Sequence, residues 1–530
     1  MSNKVILVPS DGATNIKLEV FDFDTLKTLH ADSSKSPAVE YKGLKCNCTA
    51  EEFEWFDKTI SKLPQKYKNA VVISPVARGA SGGLVDNNNN IIDVDNGKLT
   101  IAYTQDYPDN IESKFREICI SEEKYFNETG SILALPGSLS LIKRLLFEQM
   151  ERSEIAERAK GFAPYSILMA GHFLGDDFLK AIELAGNEHS YWMCHSGARN
   201  INKEPGTPSS ICDKIELFWK LVPRKTAVSY KAIGCISGDY ADKIGIKNDV
   251  TVTPGGHDTC LSHIPIISTF YQAFSHLKKN GVFHLEIGTW IMGAQLNNLG
   301  ADLCISSNSK KGTMVQGTVD GVPVPTTMYG GGADYRTLVE MAKKRNIEFD
   351  SDVDTNLLNE VLQDNCCFIL PNIDPNNHGT GPFPELEGKI INEDYFYSSG
   401  RKAFLVSNLM TALTASYQIS GLLADNTSIV LTGGGAKNDL FGSLLATLTG
   451  HDVYIGYDKF DNIISETTSL GAAIVGKASC LNIHPYDVDV SSIGVKYRKL
   501  AELSDELKTY LKEYKESFFK TIKENCSCCN

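Results

Sequence analysis

Leu431-Thr432-Gly433-Gly434-Gly435-Ala436-Lys437-Asn438 decides the reading of this 530-residue chain. Ile429 to Thr432 is a short, apolar, β-branched run, the pattern of a buried strand. Three glycines then turn the chain sharply, and Asn438 to Leu448 has helical spacing. A strand that ends in glycines and opens a helix lets backbone approach a flat ligand face. It also aims the helix N-terminus at that ligand. Gly434, Gly435 and Ala436 would form such a face, and the Asn438 carboxamide can pair with a purine edge or a ribose hydroxyl. The plain alternative is a turn that only connects strand to helix.

Upstream, Val282 to Ile287 reads as a strand that ends in Gly288-Thr289 and is followed by another strand-like run. A glycine cluster, Gly330 to Gly332, precedes helical spacing at Thr337 to Lys344, and Arg401 to Leu423 predicts a long amphipathic helix. Downstream lie a strand at Val453 to Ile455 and a helix at Thr467 to Cys480. The last ~30 residues carry Lys and Glu at helical spacing and predict a surface helix.

The start of the chain has the same organisation without a residue-level repeat. Val5 to Val8 and Lys17 to Phe21 read as a hairpin around Ser10-Asp11-Gly12-Ala13-Thr14-Asn15. Small residues at such a tip let N–H groups reach phosphate oxygens. Gly12, Thr14 and Asn15 are candidate donors, with Lys17 adding charge and Asp11 able to hold Mg2+. Gly288, Thr289 and Gly331 are the corresponding candidates in the second half. Thr49 to Leu63 predicts a helix with Thr49 as N-cap and Glu52 three residues on. Ala70 to Pro75 is another strand, and Asn87 to Asn90 a hairpin turn. Residues 110 to 230 are mixed, with a helix at Ser138 to Ser153 capped by Ser138.

Gly255-Gly256-His257-Asp258-Thr259 carries the chemistry. Moving a phosphoryl group to an alcohol requires an acceptor for the hydroxyl proton. A carboxylate exposed behind two glycines at a helix start suits that role, and His257 can orient it or touch the acceptor. The alternative is an aspartate that caps the helix running from Thr259 to Leu277, interrupted at Pro265. Arg78, Tyr103, Gln105, Asp106 and Asp109 lie near strand ends and can read vicinal hydroxyls. Ordinary surface polarity is their alternative.

Composition sets the outer bounds. The length and a 42% hydrophobic content favour two large domains. A net charge of −13 argues against a general nucleic-acid or membrane-surface binder. No run of ~18 apolar residues predicts a membrane span, and Met1 to Ser10 reads as a strand, not a signal peptide. The 14 cysteines sit mostly in apolar runs, for example Cys119, Cys235, Cys260 and Cys480. They are expected to be reduced core thiols of a cytoplasmic protein. The Cys526/Cys528/Cys529 tail is not a prenylation signal and reads as a silent terminus.

The ordered set of hairpin tip, Gly255-Gly256-His257-Asp258, Gly288-Thr289, Gly433-to-Asn438 and Glu466-Thr467-Thr468-Ser469-Leu470-Gly471-Ala472-Ala473 resembles the FGGY carbohydrate kinases. The resemblance spans roughly residues 4 to 480. It implies an α/β fold of two actin-like (ribonuclease-H-like, ASKHA) lobes with a catalytic cleft between them. Residues 1–262 would form the sugar-binding lobe, 263–485 the ATP-binding lobe and 486–530 a helical extension. Asp258 matches the family's catalytic base. Gly434, Gly435 and Asn438 match its adenosine turn, and Thr14 with Gly288-Thr289 match its phosphate loops. The expected activity is ATP- and Mg2+-dependent phosphorylation of a sugar. Arg78, Tyr103, Asp106, His257 and Asp258 would face the sugar, and Asp11 and Asp258 the metal. The expected partners are a sugar and ATP, with no nucleic acid or membrane, and a homodimer is the assembly to test. Gly12-Ala13 and His257-Asp258-Thr259 are similar to rhamnulokinase and fuculokinase members, which leans the acceptor towards a ketose. One position departs: aligned back from Phe21-Asp22, the family's leading aspartate falls on Ser10. That departure keeps a second reading open, a sugar- or nucleotide-binding relative without catalysis. An actin-like ATPase without a small-molecule acceptor is a third.

Overall fold

Val5–Asp11 and Asn15–Asp22 pair antiparallel from Val5↔Asp22 to Asp11↔Ile16, so the Ser10-to-Asn15 tip closes a hairpin as expected. In the computed structural model, residues 4–12, 14–133, 135, 137–175, 196–204, 206–222, 227–275, 281–296, 312–377 and 380–526 are described. Thr28–Lys35 extends the hairpin antiparallel. On its other side, Ala70–Ile73 and then Thr251–Val252 add in parallel, and Gly234–Cys235 closes the row antiparallel. Two short parallel strands, Val76–Ala77 and Gly256–His257, continue the sheet beyond the end of Val5–Asp11.

The second half builds the same sheet. Val282–Ile287 and Ile291–Leu296 form the hairpin, and Pro323–Tyr329 pairs antiparallel with the latter. Ser428–Thr432 and Val453–Tyr457 add in parallel, and Lys496–Lys499 adds antiparallel. Over six strands, order and sense agree position by position between the halves; Val76–Ala77 and Gly256–His257 in the first sheet and Thr313–Gly317 in the second are additions. This is the duplicated, actin-like α/β architecture. It recurs without residue-level similarity because each half needs only apolar strands at the right spacing, whatever their identity.

Contacts divide the chain into Met1–Gln272, Val315–Val324 and Glu466–Gly494 as one unit, and Ala273–Met314, Pro325–Ser465 and Val495–Asn530 as the other. The sequence reading draws contiguous boundaries at 262 and 485; the observed units interleave instead. The Thr467–Leu481 helix packs on Val5–Asp11 and Ala70–Ile73, which places it with the first unit. The Asp505–Asn525 helix is more than a surface helix. Leu507, Leu511, Tyr514, Phe518 and Ile522 form a buried face that joins the core of the second unit. Burying an apolar side chain is worth about 1.5–3 kcal/mol, so five of them approach a whole domain's stability of about 5–15 kcal/mol. A chain truncated before Ser504 is expected to lose the cooperative thermal transition of the second unit and elute as aggregate in size-exclusion chromatography.

Several local expectations shift. The Thr49–Lys62 helix has Cys48, not Thr49, at its cap, because the Thr49 hydroxyl bonds Thr100 Oγ1 at 2.9 Å. Ser140, not Ser138, caps Leu141–Glu151; Ser138 lies in the 3-10 turn Gly137–Leu139. The Gly331–Lys344 helix starts six residues before Thr337, inside the glycine cluster. Pro265 does not interrupt Asp258–Ala273. A proline there leaves the Leu261 carbonyl without its helical donor, and Gly471 packs against that carbonyl so closely that a Cβ would lie 1.9 Å from it. Cys119 and Cys260 are buried as expected, whereas Cys235 and Cys480 are exposed. Cys528 and Cys529 lie outside the described residues. No described helix is long and apolar enough to cross a membrane.

Candidate active site

In the first unit, register brings the polar residues together. Asp11 pairs with Ala77, and Ala77 with His257, across three parallel strands. Arg78 and Asp258 follow directly, so both leave the same carboxyl edge of the sheet, where α/β folds place ligands. Gly255 makes the step into that edge possible. Its φ is +72°, and a Cβ would sit 2.5 Å from the Pro75 carbonyl.

Asp258 is the first residue of the Asp258–Ala273 helix. Its Oδ1 accepts from the Thr259 N–H at 2.8 Å and the Thr259 hydroxyl at 3.4 Å, and lies 3.0 Å from His257 Nε2. Its contacts with Thr259 and His257 all fall on Oδ1, leaving Oδ2 free of them. Burial pushes the Cys260 thiol up, so it stays protonated, and its Sγ lies 3.6 Å from His257 Nδ1. A thiol donating to Nδ1 leaves the ring proton on Nε2, directed at Asp258. Desolvation by the surrounding protein raises the Asp258 carboxyl to about 6, against the lowering pull of the Thr259 donors. The side chain nonetheless keeps 39% of its surface open to solvent. The result is a carboxylate anchored through one oxygen and open at the other.

Arg78 is spoken for. Its Nε donates to Asp11 Oδ2 at 2.8 Å and its Nη2 to Asp11 Oδ1, so both oxygens of Asp11 lie on one guanidinium. Nη2 also reaches Glu52 Oε1 and Ser36 Oγ, each at 3.3 Å. The Tyr165 hydroxyl donates to Glu52 Oε2. Asp11 and Glu52 are fully buried and Arg78 is 8% exposed. Burial raises both carboxyls, with the Arg78 charge pulling each back. A metal role for Asp11 would therefore require this pair to open. Arg78 and His257 line a narrow cavity with Ser81, Tyr165, Ser166 and Ser196. The Ser81 hydroxyl is buried there without a partner among the described residues. Glu52 reads from sequence only as a capping partner of Thr49, and Tyr165 lies in the mixed 110-to-230 stretch, so neither was expected beside Arg78. Tyr103 and Asp106 are not among the residues lining this cavity. They follow the Thr100–Ile101 strand of a separate small sheet, and Asp106 pairs with Lys45 at 2.8 Å on the surface. At the hairpin tip, the Gly12 N–H donates to the Asn15 carbonyl at 3.0 Å, while Thr14 and Asn15 are exposed. Lys17 is held by Glu466 at 2.7 Å.

The second unit carries a pocket of about 960 Å³. Gly433 turns the chain at φ +75°, and Gly435 lies so close to Ile287 that a Cβ would meet its Cγ2 at 2.3 Å. Gly434 is open on that side and lines the pocket. Ala436 is fully buried and packs in the core, a correction to its expected place on the ligand face. Asn438 caps the Asp439–Thr449 helix by accepting from the Phe441 N–H at 3.4 Å, and donates to Asn408 Oδ1 at 2.6 Å. The Ala333 N–H donates to the Thr289 carbonyl at 3.1 Å, and a Cβ on Gly332 would lie 1.9 Å from the Gly288 carbonyl. Gly288, Thr289, Gly331, Gly434, Gly435 and Asn438 thus share one pocket. Tyr335, Phe404 and Tyr457 add aromatic surface to its lining, and Arg336, Lys437 and Arg498 add positive charge against Asp439. Backbone approach, ring faces and cations in one concavity suit a nucleotide. Among the described residues no three His, Cys, Asp or Glu side chains converge as a metal cage. Mg2+ carried in on phosphates requires only one or two carboxylates.

Residues 285–482 match the family model described as carbohydrate kinase FGGY, C-terminal domain. No curated protein matches the chain. A carbohydrate kinase from Novosphingobium aromaticivorans superposes with a TM-score of 0.73 at 22% identity, over 98% of this chain and 99% of that one. Xylulose kinase from Lactobacillus acidophilus gives 0.72 at 16% identity, over 98% and 97%. Plasmodium falciparum glycerol kinase with ADP gives 0.72 at 13% identity, over 99% and 98%. At these identities the structural likeness establishes the fold.

Proposed function

We propose that this chain, whose residues 285–482 match the C-terminal domain of the FGGY carbohydrate kinases, phosphorylates a ketose hydroxyl from ATP with Asp258 as the base. The observation that carries this reading is the Asp258 carboxylate, fixed through Oδ1 and open at Oδ2. As the acceptor hydroxyl attacks, its proton passes to Oδ2. The new O–P bond forms to the γ-phosphorus while the bond to the ADP oxygen breaks. His257 orients the base through Nε2. The Ser81, Ser166 and Ser196 hydroxyls beside Arg78 are the candidate sugar contacts, in a cavity of about 20 Å³ that would have to widen to admit one. Gly288, Thr289, Gly331, Gly434, Gly435 and Asn438 hold the nucleotide. Mg2+ carried with ATP would neutralise phosphate charge; Asp258 and Asp11 are its candidate carboxylates, and Asp11 would serve only if Arg78 let go. The ketose lean rests on the Gly12-Ala13 and His257-Asp258-Thr259 patterns, and xylulose kinases stand among the structural neighbours.

Ser10 supports the second reading, a relative that binds without transferring phosphate. Its side chain cannot supply the carboxylate that the family pattern has there. A coupled ADP-release assay across ketoses, aldoses and polyols decides between them. Turnover with a ketose is expected; ATP binding without turnover on any acceptor would establish the binding protein instead. The pocket is tested separately. Gly434 has room for a Cβ, so Gly434→Leu should fold and fill the pocket, raising the nucleotide KM about tenfold or more. An unchanged nucleotide KM would move the nucleotide elsewhere.

A further inference from the structure

The family match ends at residue 482, yet the pocket has a wall from beyond it. Lys496–Lys499 pairs with Val453–Tyr457 so that Arg498 lies opposite Ile455. The Arg498 Nη2 donates to Asp439 Oδ1 at 2.7 Å and to the Tyr457 hydroxyl at 2.6 Å, and Nε reaches the same hydroxyl at 3.1 Å. All three side chains line the pocket. Asp439 is the first residue of the helix that follows the glycine turn. A helix N-terminus attracts an anion, and a bare carboxylate in its first turn would repel a polyphosphate. Arg498 sits directly on that carboxylate. The pair is roughly half exposed, so its geometry is held by these hydrogen bonds and not by burial.

We propose that Arg498 is a nucleotide-positioning residue: it cancels Asp439 and keeps the helix N-terminus attractive to the phosphates of an adenine nucleotide. The inference rests on the nucleotide reading of this pocket. It assigns a working part to chain that lies outside the family match, and it explains why the edge strand carries arginine where solvent exposure alone would accept any polar residue.

The test measures ADP and ATP binding by displacement of a fluorescent nucleotide, with steady-state kinetics for both substrates. Arg498→Ala should raise the nucleotide Kd and KM about five- to tenfold, by removing one positive charge and baring one negative charge. The sugar KM and the melting temperature should stay unchanged. Adding Asp439→Asn to Arg498→Ala should bring the nucleotide KM back to within about twofold of wild type. The Arg498→Ala defect should also shrink in high salt, where charges are screened. A merely structural arginine would give neither the rescue nor the salt effect. Wild-type nucleotide affinity in Arg498→Ala, or failure of Asp439→Asn to rescue, overturns the role of Arg498 alone. A wild-type protein that binds no nucleotide overturns the pocket assignment and this role with it.

Discussion

Asp258→Asn lowers kcat by about a hundred- to ten-thousandfold, the usual contribution of a positioned general base, while ADP affinity and the fold are retained. The variant is close to isosteric. Its carboxamide oxygen can still accept from the Thr259 N–H, so the helix start survives, and only the proton acceptor is lost. The wild-type pH profile provides a second reading of the same group. Desolvation raises the carboxyl to about 6, and a base works only when ionised. Activity should therefore fall as pH drops through about 6 and be level above it. Stability should run the other way. A raised folded-state pKa means the protonated form is favoured in the fold, so its stabilising contribution is present at acid pH and lost as pH rises through about 6. Asp258→Asn does not titrate and removes that dependence. Wild-type turnover in Asp258→Asn would end the assignment of Asp258 as base.

Arg78→Ala destabilises the protein by about 3–5 kcal/mol in urea unfolding at neutral pH, the cost of stranding buried charge. The guanidinium is 8% exposed and serves two fully buried carboxyls, Asp11 and Glu52. Without it, both must take up protons or stay charged in low dielectric. The defect should therefore be larger at pH 8 than at pH 5. Asp11→Asn in the same background should recover part of the loss, because removing both partners costs less than removing one. A single variant as stable as wild type would show that the cluster does not hold this edge of the sheet. The Arg78 charge also lowers the Asp258 carboxyl. Any residual activity of Arg78→Ala should accordingly have its acid limb shifted to higher pH.

The site was legible from sequence to different depths in the two units. Gly434, Gly435 and Asn438 are adjacent in the chain, so one strand-to-helix turn exposes them as a set. Gly288 and Thr289 needed only the assumption that the second hairpin mirrors the first, whereas Gly331 comes from the separate glycine cluster. Asn408 and Phe404, on the Gly400–Ile419 helix, and Arg498, on the Lys496–Lys499 strand, could not be read, because none of them carries a local signal. Glu52 reads as a capping partner of Thr49 until Arg78 is placed beside it. Tyr103 and Asp106 suit a sugar by residue type, but they follow a strand of another sheet and do not line the Arg78 cavity.

The amino-acid sequence by itself determined the periodic elements, the glycine turns and Asp258, because strand alternation, backbone freedom at glycine and the chemistry of a carboxylate are local properties. Tertiary structure alone decided which oxygen of Asp258 stays open and that Asp11 is closed by Arg78. It also decided that the last helix is core. These outcomes depend on strand register and long-range packing, which bring together groups tens to hundreds of residues apart and leave no trace in local spacing.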